Sequence, residues 1–136
     1  MTASRLFASL FALLGACSAL AAPSVDRSGL LTDDRGMTLY VYKRDTLGIS
    51  RCNDRCLRPW PPYVAPATAK SGGDFSIIRR DDGRVQWAYK GQPLYRFAGD
   101  AGPGDANGEH AGAVWSTVRS KAVEQQVIGS ASDYAF

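Results

Sequence analysis

Hydrophobic and polar positions alternate in short bursts along this chain, separated by Gly-, Pro- and Asp-rich punctuation. A period of two is the signature of strands, and the reading is mainly β. Residues 29–32 predict a strand, 33–36 a turn and 37–42 the returning strand. Further on, 75–79, 84–89 and 92–97 predict three more strands, joined by turns at 81–83 and 90–91. Asp-Gly and Lys-Gly between aromatic and β-branched runs are hairpin signals, because glycine accepts positive φ at no steric cost. Residues 114–118 read as another strand, 121–128 as a short helix or a last strand, and 65–73 as a linker.

The pattern also repeats. Gly36, Leu39, Tyr40, Tyr42, Asp45 and Trp60 return 55 residues later as Gly91, Leu94, Tyr95, Phe97, Asp100 and Trp115, with no gap. That register predicts a duplicated unit: two pseudo-symmetric, hairpin-based repeats at about 27–64 and 82–119. A unit of this size buries too little apolar surface alone, so both copies are expected to share one core within a single domain, 22–136. Alternation puts Tyr40 with Tyr42, and Tyr95 with Phe97, on one strand face. The opposite face is apolar in the first copy (Met37, Leu39, Val41) but mixed in the second (Gln92, Leu94, Arg96). The aromatic face is therefore the expected shared core, with Trp60 and Trp115 closing over it. Each aromatic strand is followed by a long loop rich in glycine and proline, which excludes regular structure there.

The N-terminus changes the compartment. Arg5, the apolar stretch 6–14 and the small residues 15–22 have the layout of an export signal, expected to be cut after Ala21. The alternative is a lipoprotein signal, 1–16, with Cys17 lipidated. The apolar stretch is well short of the roughly 18 residues of a membrane-spanning helix. Loss of Arg5 lowers the formal charge from +3 to +2, too mild for a nucleic-acid partner.

Candidate chemistry is sparse. Cys52 and Cys56, exported and four apart, are read as a disulfide, with a Cu(I) site that adds Met37 or His110 as the alternative. Their equivalents in the second copy are Asn107 and Ala111, so that loop must be fixed by other means. Asp100, Asp105, Asn107 and Glu109, with His110 beside them, are candidate Ca²⁺ ligands, but lack EF-hand spacing. Asp45 and Asp100 are read as turn caps rather than an acid/base pair. His110, the only histidine, has no nucleophile elbow to serve, so no catalytic residues are assigned. Arg51, Arg55 and Arg58 flank the cysteines as a solvated surface that anionic lipid or glycan would suit.

The tandem motifs Tyr40-x-Tyr42-x-x-Asp45 and Tyr95-x-Phe97-x-x-Asp100, with the Cys52, Cys56, Trp60 and Trp115 segments, resemble a bacterial secreted-repeat family of predicted lipoproteins. The resemblance implies export, frequent lipid attachment and no established biochemical activity, and it supplies no catalytic residues. The expectation is a periplasmic or secreted protein, or a membrane-anchored lipoprotein. It would act as a non-enzymatic binding or structural module for an unknown envelope component. The alternative is a Ca²⁺- or Cu-binding protein.

Overall fold

The computed structural model describes residues 22–120; the expected export segment with Cys17, and the element expected at 121–128, lie outside them. The described chain is built from short antiparallel strands: β1 (Ser24–Val25), β2 (Leu31–Thr32), β3 (Tyr40–Tyr42), β4 (Phe75–Arg79), β5 (Val85–Tyr89), β6 (Gln92–Pro93) and β7 (Trp115–Thr117). One 3₁₀ turn, Asp54–Leu57, carries Cys56, and a second, Ala111–Ala113, precedes β7.

The two copies are interleaved. At the centre, Tyr40 and Tyr95 face each other as an antiparallel bridge, each amide donating to the other's carbonyl at 2.9 Å. On one side β3 pairs with β7, which belongs to the second copy. On the other side Tyr95 bridges Pro62, from the first copy. The equivalence holds bond by bond. The Lys43 amide donates to Val114 O at 2.8 Å, and the Ala98 amide donates to Pro59 O at 2.9 Å. Each copy thus lends the segment around its tryptophan to the other copy's aromatic strand.

This exchange explains why the expected strand 92–97 is divided. Gln92 and Pro93 pair with β5, after which Tyr95 takes its partners from Tyr40 and Pro62. The hairpin turns match closely: Gly36 and Gly91 both sit at φ +80°, where a side chain would be strained. Two further points differ from the sequence reading. The expected 29–32 strand shortens to β2, and it pairs with the unanticipated β1. The supposed linker begins inside the fold, since Ala65 is buried and its amide donates to Val85 O.

Both faces of the exchanged strands are covered. Tyr40, Tyr95, Trp60, Trp115 and Cys52 form an aromatic core contributed by both copies. Opposite it, Leu31, Leu39, Tyr63, Trp87, Tyr89, Leu94 and Val118 form a second core that the mixed face of the second copy had concealed. Only Leu94 of that face enters it. Arg96 instead lies over the Tyr63 ring at 4.8 Å and reaches Asp33 at 2.6 Å.

Candidate functional site: the repeat junction and its two loops

The motif residues meet at the junction. Trp60 and Trp115 stack with ring centroids 3.8 Å apart and planes 7° from parallel. The stack is extended at both ends by the other copy, with Tyr42 on Trp115 at 4.4 Å and Phe97 on Trp60 at 4.5 Å. Tyr40 and Tyr95 meet their own copy's tryptophan edge-on, at 5.3 and 5.1 Å. Edge and stacked geometries are those the ring quadrupoles favour. The rings fill one another's space.

The hydroxyls are exchanged as well. Tyr40 donates to Asp100 at 2.7 Å and Tyr95 donates to Asp45 at 2.8 Å. The second oxygen of each carboxylate takes a backbone amide from the loop that follows it, Arg51 at 2.6 Å and Asn107 at 2.9 Å. These aspartates therefore tie long loops to the opposite copy, six or seven residues on, rather than cap local turns. Among the described residues no hydrogen bond joins one carboxylate to the other. Burial, and the carboxylate it serves, raise the Tyr40 hydroxyl well above the ordinary phenol value. Burial raises Tyr95 likewise. Desolvation also lifts the Asp45 carboxyl above its usual value, against the weaker pull of the Arg51 amide and the Tyr95 hydroxyl.

The loops are then fixed differently. In the first copy Cys52 and Cys56 are joined by a disulfide, with Cα atoms 5.3 Å apart. Beneath it lies Arg80, its side chain fully buried. One guanidinium nitrogen donates to Ser50 Oγ and Gln86 Oε1, both at 2.7 Å; the other donates to Cys52 O at 2.7 Å and Asn53 Oδ1 at 3.1 Å. Nε turns to Asp82 at 3.2 Å. Because Tyr95 spends its proton on Asp45, Ser50 donates to Tyr95 at 2.6 Å, and the chain Arg80–Ser50–Tyr95–Asp45 is complete.

The second loop uses its acids and its glycines. Asp105 accepts the amides of Ala101 and Gly102, and Asn107 Nδ2 reaches Gly99 O. Gly108 is buried against the tryptophan stack, where an added Cβ would stand 2.5 Å from the Trp60 ring. Its amide donates to the Tyr40 hydroxyl at 3.3 Å. Glycine at 108 is thus a packing requirement, whereas Gly102 and Gly104 have open space where a Cβ would stand.

Several candidate ligands are consequently occupied by the fold. Asp100 and Asp105 serve amides, and Glu109 accepts the Thr117 amide at 2.7 Å. His110 is 82% exposed, with Glu109 as its one ion-pair neighbour among the described residues, at 3.5 Å. Among the described residues no three His, Cys, Asp or Glu side chains gather to hold a metal ion. Met37 lines an open cleft of about 430 Å³ with Asp33, Arg96 and Pro103. No buried side-chain nitrogen or oxygen among the described residues lacks a partner.

An all-β tandem repeat, interlocked by exchange and carrying two unlike loops, is the class that this fold and site define. The chain belongs to the family described as a secreted repeat of unknown function, whose model matches residues 26–63 and 76–119. No curated protein and no solved structure matches it closely enough to add to that. No helix of the described residues is long and apolar enough to cross a membrane.

Arg80, Ser50 and Gln86 are the site residues that the sequence did not single out. The signal was faint but present: Arg80 is two residues beyond buried Ile78 on β4, hence on the same face.

Proposed function

We propose that this chain is a non-enzymatic cell-envelope module that binds through its two unlike loops, held rigidly by the repeat junction. One observation carries the reading. The polar groups and rings shared by both copies are spent on one another inside the fold. The loops, where the copies differ, are left facing outward with Arg51, Arg55 and Arg58 in one and His110 in the other. The clefts beside them are open to solvent rather than enclosed, which suits a surface partner. For the Ca²⁺ alternative, the carboxylates of the second loop are already committed to backbone amides.

The test is retention on the isolated cell envelope, membranes and peptidoglycan together. Chain exported with Cys17→Ala, so that no acyl group can be attached, should be retained saturably and displaced by excess unlabelled protein. Arg55→Glu/Arg58→Glu, at two exposed positions, should weaken retention several-fold while leaving the circular dichroism unchanged. Retention that never saturates and ignores these charges would contradict the proposal.

A further inference from the structure

The duplication supplies an internal control for the tip of the first loop. The Asp45 carboxylate holds the base of this loop through the Arg51 amide and Tyr95. Thr46 and Ile49 close the tip with two reciprocal backbone bonds, at 3.2 and 3.0 Å. The Gly48 amide then pins it to Gly91 O at 2.7 Å. This well-anchored turn presents Leu47 at 75% exposure and Ile49 at 51%, the two most exposed large hydrophobic side chains among the described residues.

The equivalent turn of the second copy does without them. At the 55-residue offset, Leu47 and Ile49 correspond to Gly102 and Gly104. Arg44 and Arg51 beside the tip are equally dispensable, since they correspond to Gly99 and Ala106; Lys43, which corresponds to Ala98, donates through Nζ to Ala113 O at 3.0 Å. All three are exposed, and among the described residues none is in an ion pair. The one acid among them, Asp45, is turned inward onto Arg51 N and Tyr95. The scaffold therefore requires neither the apolar pair nor its cationic collar, yet the first copy carries both together. Lys43 and Leu47 also line one open cleft of about 370 Å³ with Tyr42 and Gln92.

We propose that residues 43–51 form a docking tip for an anionic lipid surface, a deepening that rests on the binding-module reading above. Leu47 and Ile49 enter the boundary between headgroups and acyl chains, and Arg44 and Arg51 face the lipid phosphates. An apolar tip in a basic ring matches an anionic bilayer in both respects, since basic residues near such a surface are attracted within a Debye length. A partner protein would have to supply an apolar socket and acidic rim of its own.

The experiment is co-sedimentation of the exported Cys17→Ala chain with vesicles of phosphatidylglycerol and phosphatidylethanolamine, and with vesicles of phosphatidylcholine alone. Binding is expected to the anionic vesicles, weakly to the neutral ones, and to fall as salt is raised. Leu47→Ser/Ile49→Ser and Arg44→Gln/Arg51→Gln should each reduce partitioning on the order of tenfold, the first by lost apolar burial and the second by lost attraction. Both pairs are exposed, so the folded spectrum is expected to be unchanged. Absence of binding to anionic vesicles, or parental binding by Leu47→Ser/Ile49→Ser, overturns the proposal. If vesicles fail while saturable envelope retention persists, a macromolecular partner takes the tip and the module reading stands.

Discussion

Trp115→Ala is expected to destabilise the protein by about 3–5 kcal/mol, the usual cost of truncating a buried tryptophan. Three aromatic contacts go at once: the stack on Trp60, the stack under Tyr42 and the edge of Tyr95. Two of these partners, Trp60 and Tyr42, belong to the other copy. The cavity therefore opens in the junction, where collapse would require both copies to move. Native proteins hold only about 5–15 kcal/mol in total, so the variant should lose a large share of its stability. Urea denaturation reads this as a lower midpoint, with the transition remaining single because neither copy has an aromatic core of its own. A Trp115→Ala protein that unfolds at the parental midpoint would remove the junction from the account.

The second large effect is at Arg80. Arg80→Met is expected to cost about 3 kcal/mol or more, since Gln86 Oε1 and Cys52 O lose their buried donor. Removing a buried charge returns some desolvation free energy, but the orphaned acceptors outweigh it. Arg84 provides the comparison. It meets Asp82 at 2.8 Å, closer than Arg80 does, yet the pair is 47% and 35% exposed. Water screens that pair, and Arg84→Ala should change stability by no more than about 1 kcal/mol. Arg80→Lys should behave more like methionine than like arginine, because one ammonium cannot reproduce a planar fork across four acceptors. Chemical denaturation of the three variants checks the order; equal losses at 80 and 84 would mean that burial does not govern the network.

Much of the scaffold was legible because duplication makes its constraints visible twice. Gly36 with Gly91, Tyr40 with Tyr95 and Trp60 with Trp115 each hold equivalent places, and alternation correctly grouped the aromatic rings. What alternation could not reveal was exchange. A repeat predicts that two units are alike, but whether each pairs with itself or with its twin depends on long-range contacts. Arg80 was obscured for a related reason. It sits in the polar run Arg79, Arg80, Asp81, Asp82, which reads as a solvated hairpin end. Its burial is imposed by the disulfide loop that lies against it from the other copy. The loops themselves are where the copies cease to agree, and there the offset served as a control.

Interlocking of the two copies is tested most directly by the optical coupling of Trp60 with Trp115. Stacked indoles at 3.8 Å should give an exciton couplet in the circular dichroism of the native protein. Trp60→Phe and Trp115→Phe should each abolish it, though the two residues lie in different copies. Trp87 is common to all the variants, so a parental spectrum equal to the sum of the Trp60→Phe and Trp115→Phe spectra less that of the double variant would contradict the exchanged junction.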